Sequence, residues 1–412
     1  MSGRSATLLR TFLLLLLVSS SVVSAAQIRW QFEPEGRVLG KPALGETAVY
    51  VAGGSILYAL SLDGEELWQL DLEGEVAANL TLQENVLYVH SSLGLHAVDV
   101  QGRALWTYES EDLGPLVDGR SWGWGSEILA DPWGWYRSAP LVQGDTVIFG
   151  SSDGVHAVSR RTGEVLWRVP VGPVTADVVA YEDAVIVAGW NNSLYALDAA
   201  SGKLRWRFEA QAPSSKGVDW VGYVGCNLTP VVHGERVFVG NRGTYFYALD
   251  ANDGTEAWST KVGASWIGSP AVISGDAVYY GLSDGNAVMG HLLSTGAQTL
   301  FYQTGSAVFA QPELVGSDLL AGTLTGRLFS IDTVSGEGEE ILNLGPEQVA
   351  WADFFKPEIV PEGLTRHQGD SWAIDRMLTQ ANGVLNLTVE GDTAYVGTGA
   401  GRFYALDLGQ QD

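Results

Sequence analysis

The densest group of side chains suited to binding lies in SWGWGSEILADPWGWY, which runs from Ser121 to Tyr136. Four tryptophans and one tyrosine occur in this stretch, and glycines separate them. Indole and phenol rings present large, rigid apolar area with one polar group, which suits recognition of a protein, a peptide or a sugar ring. The stretch therefore predicts a binding surface. The competing interpretation is a small aromatic core that only ties a loop together.

Side chains for covalent chemistry are sparse. His367 lies near GDSW, residues 369–372, but spacing alone does not identify a Ser/His/Asp triad. His90, His96 and His156 fall in predicted strands, where a packed histidine is expected. The triplets SDG, NDG and LDG occupy hairpin-turn positions, which favours turns over calcium ligands. Many acid pairs leave a glycosidase open without selecting one pair, so we predict no catalytic residue.

Cys226 is the single cysteine of the chain. One cysteine can form neither an internal disulfide nor a cysteine-based zinc cluster. We expect a buried, small apolar side chain, with a reactive thiol as the alternative, and we predict no metal site.

The charge balance narrows the classes of partner. The chain has 48 acidic and 23 basic residues and a formal net charge of −25. Nucleic acid and anionic lipid both require clustered Lys and Arg, so neither is an expected partner. An acidic surface favours solubility and permits binding of cations or basic partners.

The N-terminus is typical of an export signal. Arg4 and Arg10 precede or flank the apolar run TFLLLLLV, residues 11–18, and small residues follow. We predict a signal peptide over residues 1–26, cleaved near Ala25 or Ala26, and a periplasmic or extracellular protein. No later stretch reaches the length of apolar residues that a transmembrane segment needs.

A repeat that would position the aromatic stretch runs along the chain. Residues 49–68 read VYVAGGSILYALSLDGEELW and residues 185–206 read VIVAGWNNSLYALDAASGKLRW. Alternating apolar runs bounded by Gly, Asp and Asn indicate antiparallel strands joined by tight turns. Each unit contains four strands, termed A to D, and counting the B strands gives eight units. The last unit lacks its D strand after Asp407.

The missing strand lies at the other end of the chain. IRWQFEPEGRV, residues 28–38, has the character of a D strand without its unit. If Trp30 completes the last sheet, the chain closes into a ring and no terminal sheet edge stays open. The sequence therefore predicts an all-β fold, an eight-bladed β-propeller of four-stranded antiparallel blades, as a single domain over residues 27–412.

The C–D segments carry a recognisable motif, Ala-x-Asp-x-x-x-Gly-x-x-x-Trp. It is matched in full by Ala196, Asp198, Gly202 and Trp206, and by Ala248, Asp250, Gly254 and Trp258. This motif resembles the pyrroloquinoline-quinone-type repeat of eight-bladed quinoprotein propellers, over nearly all of residues 27–412. In one such protein, the propeller lipoprotein of the outer-membrane β-barrel assembly machinery, size and blade number are similar. The present chain departs from it by lacking a lipidation cysteine.

The resemblance implies a structural role for the motif tryptophans. In the family they pack against the adjacent blade, and burial of an indole agrees with such a role. The tryptophans assigned this docking role are Trp30, Trp68, Trp106, Trp167, Trp206 and Trp258. Leu300 and Glu340 stand at the tryptophan position in two other units, so the motif does not predict the docking contact there.

Three D-to-A connections are unusually long, at about residues 108–137, 209–226 and 345–385. Because all three follow a D strand, topology places them on one face of the ring. The third predicts a short helix at 371–380. We expect the three to form a lid or platform over one end of the channel, with acidic side chains as additional ligand groups. The predicted binding residues are Trp122, Trp124, Trp133, Trp135, Tyr136, Trp220, Tyr223, Trp351, Phe354 and Trp372.

Function is expected to be binding rather than catalysis. The leading hypothesis is an exported, monomeric scaffold that recognises a protein or peptide through the aromatic face. The alternatives are a carbohydrate-binding or carbohydrate-cleaving propeller and a quinone-dependent dehydrogenase. The dehydrogenases of the family have an adjacent cysteine pair, which one cysteine cannot supply. No cofactor is expected, although the resemblance leaves pyrroloquinoline quinone and calcium open.

Overall fold

The computed structural model describes residues 25–211, 225–263, 265–347 and 351–409. Within these ranges, eight four-stranded antiparallel sheets follow one another along the chain, which confirms the eight-bladed propeller. The short first strands of successive sheets contact each other, so they surround a central axis and the later strands lie further out. We call each sheet a blade. Most of the predicted signal peptide, residues 1–24, lies outside the described residues.

The first four blades are each built from four consecutive strands, in order from the axis outwards. The first is β2 (Ala43–Leu44), β3 (Ala48–Gly53), β4 (Ile56–Ser61) and β5 (Glu66–Asp71). The second is β6 (Thr81–Gln83), β7 (Val86–Ser91), β8 (Gly94–Asp99) and β9 (Ala104–Glu109). The third is β12 (Leu141–Gln143), β13 (Thr146–Ser151), β14 (Gly154–Ser159) and β15 (Val165–Val169). The fourth is β16 (Val179–Tyr181), β17 (Ala184–Gly189), β18 (Ser193–Asp198) and β19 (Leu204–Glu209).

The remaining blades follow the same order, except that the last takes its outer strand from the N-terminus. The fifth is β20 (Val231–His233), β21 (Arg236–Gly240), β22 (Tyr245–Asp250) and β23 (Glu256–Lys261). The sixth is β24 (Val272–Ser274), β25 (Ala277–Gly281), β26 (Ala287–Leu292) and β27 (Gln298–Gln303). The seventh is β28 (Glu313–Val315), β29 (Asp318–Gly322), β30 (Arg327–Asp332) and β31 (Gly338–Asn343). The eighth is β32 (Val384–Glu390), β33 (Thr393–Thr398), β34 (Phe403–Asp407) and β1 (Gln27–Phe32).

Closure of the ring joins the two ends of the chain. Strand β1 pairs antiparallel with β34, with Trp30 opposite Ala405 and Gln31 opposite Tyr404. The backbone N–H of Ala26 donates to the carbonyl of Ile341 at 3.1 Å, which also ties this end to the seventh blade. The prediction that the N-terminal strand completes the last blade is therefore confirmed. With this pairing, the edge of β34 is covered by β1 and is not open to another chain.

A bulge at the same place in successive blades turns the docking tryptophans. In the first blade, Ala59 pairs with Trp68 but Leu60 pairs with Glu66, so Leu67 is the extra residue of the outer strand. The fourth and fifth blades shift register at the same point, next to Ala196 and Ala248. Because a bulge re-aims the neighbouring side chains, the indole leaves the plane of its own sheet and reaches the next blade.

Each docking tryptophan contacts the next blade through one hydrogen bond and one glycine. Trp206 Nε1 donates to the carbonyl of Ala251 at 2.9 Å. Gly254 has φ +75°, and a Cβ added to it would lie 2.6 Å from Cε3 of Trp206. The corresponding donations from the other five indoles go to the carbonyls of Leu62, Val100, Arg160, Ala199 and Leu293, at 2.8–3.1 Å. The motif glycine is thus the residue against which the neighbouring indole lies flat.

Two blades lack the indole and pack differently. Leu300 keeps a buried apolar contact with the seventh blade, at 3% exposure. Glu340 instead forms an exposed ion pair with Arg327, with 3.3 Å between Oε2 and Nη1. The docking contact therefore persists in part at the first position and is replaced by a surface pair at the second.

The α-helix in the third long connection is longer than expected. Helix α1 spans Arg366–Gln380, whereas the sequence predicted 371–380. Thr365 caps the helix: its side chain accepts from the backbone N–H of Gln368, and the side chain of Gln368 accepts from the backbone N–H of Thr365. This capping box moves the helix start upstream. Within the described ranges, no helix has the length and apolar character that crossing a membrane requires.

Candidate functional site

Three outer-to-inner connections differ from the rest in length and lie between β9 and β12, β19 and β20, and β31 and β32. The first contains the hairpin β10 (Leu116–Asp118) and β11 (Ile128–Ala130), with a 3-10 helix at Gly119–Trp122. The third contains 3-10 helices at Trp351–Phe355 and Pro357–Ile359, followed by α1. Of the second connection, residues 212–224 lie outside the described residues, and the predicted binding residues Trp220 and Tyr223 fall there. The side chains of Trp122 and Trp351 are likewise outside the described set.

The first and third connections are joined by direct contacts. Nε1 of Trp124 donates to Oδ2 of Asp370 at 2.7 Å. Nε2 of His367 donates to the carbonyl of Ala130 at 2.8 Å, so this ring carries its hydrogen there. The rings of Trp124 and His367 also meet edge to face, with centroids 4.7 Å apart. The aromatic residues of the two connections thus hold these segments against each other.

Trp133 lies nearly parallel to two phenylalanine rings and is partly buried. Its ring stacks on Phe309 at 5.9 Å and on Phe355 at 6.0 Å, with interplanar angles of 10° and 21°. Trp135 lies against Phe309 at 5.7 Å, and Phe354 is only 6% exposed in the same cluster. These side chains form a core beneath the connections.

The side chains of Tyr136 and Trp372 are each held in place by one contact. The hydroxyl of Tyr136 donates to the carbonyl of Leu385 at 2.7 Å, and burial raises the pKa of Tyr136 to about 12. The guanidinium of Arg376 lies 5.2 Å from the ring centroid of Trp372, a cation–π contact within α1. Both side chains remain half-buried, so each is held in place while keeping some contact with solvent.

A buried ion pair anchors the first connection to the blades. Arg242, in the turn between β21 and β22, pairs with Asp131, and their side chains are 4% and 0% exposed. The guanidinium lies over the rings of Trp190 and Trp266, at 4.8 and 4.3 Å. Such a pair is stable only when both charges are kept together, because either one alone would be a buried, unpaired charge. Sequence patterning gave no signal for Arg242.

A second buried polar group lies where the first connection leaves β9 and rejoins β12. Nδ1 of His90 donates to the carbonyl of Ser138 at 2.9 Å, and its Nε2 lies 3.5 Å from Oδ2 of Asp112. Nε of Arg137 lies 3.7 Å from the same carboxylate oxygen. Burial lowers the pKa of His90. The neutral form of His90 is therefore favoured at the base of the connection.

Other acidic side chains considered as ligand groups are used within the protein. Asp118 pairs with Arg120 at 2.5 Å, and Asp353 pairs with Lys356 at 2.7 Å. Asp370 accepts from Trp124, and Asp131 pairs with Arg242 as described above. Asp219 lies outside the described residues. These four acids therefore hold parts of the protein together.

The axis of the ring contains a small polar cavity. It measures about 60 Å³ and is lined in part by Lys41, Asn79, Asp177 and Gln311. Asp177 accepts from the backbone N–H of Ala139 at 2.7 Å and from Nδ2 of Asn79 at 2.9 Å, while burial raises the pKa of its carboxyl group. A volume of this size holds a few water molecules.

The residues that the structure describes fit a quinone and calcium poorly. The axial cavity is far smaller than a tricyclic quinone. In the described ranges, no three His, Cys, Asp or Glu side chains are grouped so that they could hold a metal ion.

Cys226 is buried between the fourth and fifth blades, and burial raises the pKa of its thiol to about 12. A protonated, enclosed thiol is a packing group rather than a nucleophile.

Among the described side chains of the first connection, the large apolar ones that are exposed are aliphatic. Leu113, Leu116 and Ile128 are 56%, 44% and 63% exposed. In the hairpin, Asp118 lies opposite Ile128 and Leu116 opposite Ala130, so Leu116 and Ile128 share one face. We call this the outer hairpin face. Sequence reasoning concentrated on the aromatic residues and missed it, although LVD and ILA show the alternation of short paired strands.

Comparison with known proteins places the fold. A family model described as outer membrane protein assembly factor BamB matches residues 20–171 and 151–411. The crystal structure of BamB from Moraxella catarrhalis superposes with a TM-score of 0.66 and 15% sequence identity, covering 93% of this chain and 99% of that chain. At this identity the likeness shows the fold alone.

Two curated relatives match parts of the chain. The serine/threonine-protein kinase AfsK of Streptomyces griseus is 26% identical over 151 residues, 35% of this chain and 18% of the kinase. The quinohemoprotein alcohol dehydrogenase of Comamonas testosteroni is 29% identical over 139 residues, 29% of this chain and 18% of the dehydrogenase. The chain thus spans about a fifth of the length of these relatives.

Proposed function

The chain belongs to the family of the outer membrane protein assembly factor BamB, and we propose that it is an exported, non-catalytic scaffold that binds a protein or peptide partner. The proposed binding face carries the long connections, and the proposed location is the periplasm. The family is named for assembly of outer membrane proteins, and an envelope protein is therefore the partner class we propose. This assignment requires neither a quinone nor calcium.

The observation that carries the proposal is the outer hairpin face on an immobilised support. Leu116 and Ile128 present apolar surface, while Trp124, Asp131 and His367 fasten the two ends of the hairpin to α1 and to the blades. Exposed apolar residues on a rigid support favour protein binding, because little conformational entropy is lost when a partner docks. The aromatic core beneath supplies that rigidity.

Site-specific crosslinking in the native host tests the proposal. A photo-crosslinking amino acid is placed at position 116 or 128, and the matched control is placed at Val334, which is 88% exposed in a turn of the seventh blade. We expect an envelope protein to be captured from positions 116 and 128 and not from 334. Equal capture from all three positions would remove the hairpin from the binding face.

A complementation experiment measures the same surface functionally. In a strain that lacks the protein, the variant Leu116→Ser/Ile128→Ser should restore outer-membrane protein levels less well than the wild type or Val334→Ser. Because both replaced side chains are exposed, the variant should keep its stability within about 0.5 kcal/mol. Full restoration by the double variant would contradict the proposed role of the hairpin.

A further inference from the structure

A lateral groove lies between the first and second blades. Its walls come from the end of β5 and the residues that follow it, from the turn between β7 and β8, and from β8 and the length of β9. It has a volume of about 630 Å³, large enough for several side chains of a bound peptide. The side chains that supply its apolar part are Leu70, Leu72, Leu93 and Ala104.

Four carboxylates surround this apolar part: Asp71, Glu73, Glu109 and Glu111. None of them is in an ion pair with a described Lys, Arg or His side chain, and none of the described side chains lining the groove is Lys or Arg. The hydroxyl of Ser55 and the backbone N–H of Glu73 each donate to Asp71 at 2.8 Å and hold the pKa of this carboxyl below its usual range. The groove therefore carries concentrated negative charge.

The imidazole of His96, which also lines the groove, does not offset that negative charge. Burial lowers the pKa of His96 to about 4, so its imidazole is neutral at neutral pH. Its Nε2 lies 2.9 Å from the hydroxyl of Ser91, which fixes the ring in the wall. A cationic partner therefore meets carboxylates without competition from a protein cation in the groove.

The equivalent groove between the fifth and sixth blades shows that propeller packing does not require this charge. That groove has a volume of about 430 Å³, and no carboxylate occurs among the described side chains lining it. Lys261 lies three residues after Trp258, as Asp71 lies three residues after Trp68. Gly263 similarly takes the place of Glu73. Of these two grooves, only the one between the first and second blades is acidic.

The sheet edge beside the groove is open. Strand β9 is the outer strand of the second blade and pairs only with β8 among the described strands. Its side chains are mostly exposed, including Leu105 at 52%. An extended segment can lie along such an edge with alternate side chains directed to opposite sides.

We propose that the groove between the first and second blades binds an extended segment of a partner protein in which apolar residues alternate with Lys or Arg. The apolar side chains lie against the leucines of the groove. The ammonium or guanidinium groups lie between the carboxylates of the two outer strands. This second surface shares no residue with the outer hairpin face.

Calorimetric titration with a synthetic peptide tests the inference. The probe is as long as β9 and alternates Lys and Val, and its counterpart alternates Glu and Val. The full chain should bind the Lys peptide more weakly as salt is raised, and should not bind the Glu peptide. The variant Asp71→Asn/Glu73→Gln/Glu109→Gln/Glu111→Gln should bind the Lys peptide about tenfold more weakly or worse.

A charge-matched variant separates the groove from the overall acidity of the chain. It replaces four exposed carboxylates of other blades by amides: Glu235, Asp276, Glu337 and Glu339. This control should bind the Lys peptide within about twofold of the wild type. Equal weakening by both variants, or absence of binding to the wild type at low salt, would overturn the inference. Leu116→Ser/Ile128→Ser should bind the peptide normally, which distinguishes this site from the hairpin.

Discussion

Replacing Gly254 by alanine tests whether blade docking depends on contact between an indole and a glycine. The substitution has two separable effects. Gly254 has φ +75°, where any L-residue is strained by about 1–2 kcal/mol. Its added methyl group would also lie 2.6 Å from Cε3 of Trp206, whose N–H is held by the carbonyl of Ala251. Displacing a packed ring of this kind costs about 1–3 kcal/mol more.

Gly305 provides the matched control for the backbone effect. Its φ is +73°, and no atom lies within 4 Å of the position a Cβ would take. Gly305→Ala should therefore destabilise the protein by about 1–2 kcal/mol, and Gly254→Ala by about 2–5 kcal/mol in total. Both are measured by urea unfolding followed through tryptophan fluorescence and far-UV circular dichroism. Equal losses in the two variants would show that the indole contact contributes nothing to docking.

Two further substitutions probe the buried charges. Asp131→Asn leaves Arg242 buried without its partner carboxylate, so hydrogen exchange in residues 116–130 should rise sharply. Asp183→Asn, in an exposed pair with Arg205 on another blade, should leave exchange in that segment unchanged. Unaltered exchange in Asp131→Asn would contradict the anchoring role. The pKa of His96 is about 4 in the folded protein and about 6.5 in the unfolded chain. Because the unfolded chain takes up a proton first, the free energy of unfolding is unaffected by His96 above pH 6.5 and falls by up to about 3 kcal/mol as the pH is lowered towards 4. His96→Gln should make the free energy of unfolding depend less on pH between 6.5 and 4 than it does in the wild type. His233→Asn, at an exposed position, serves as the control. The same pH dependence in the wild type and in His96→Gln would refute this assignment.

The blades were predictable because seven of them are built from consecutive residues, and the eighth takes only its outer strand from the other end of the chain. Strand, turn and strand recur with a fixed spacing, and the tryptophan, with its glycine one blade further on, marks the outer strand in both register and neighbour. The capping box of Thr365 and Gln368 was also present in the sequence as Thr-x-x-Gln, and it explains why α1 begins before Ser371. Local chemistry decided all of these features.

The site was less accessible to sequence reasoning because its contacts are long-range. Trp124 reaches Asp370 across 246 positions, and Arg242 reaches Asp131 across 111. No periodicity links such partners. The abundance of aromatic residues drew attention to the first connection as a binding surface, and that assignment stays a prediction. Among the described side chains, Trp133 packs against Phe309, and the exposed apolar residues include Leu116 and Ile128.

Pairing of β1 with β34 also sets the order in which the molecule can be completed. Gln27 is among the first described residues to be synthesised, yet its partner Asp407 is among the last. Until β34 has been synthesised, β1 has no strand with which to pair. A truncated chain that lacks β34 therefore has an open ring with exposed strand edges. Proteases and chaperones can distinguish such edges from the closed ring of the folded protein.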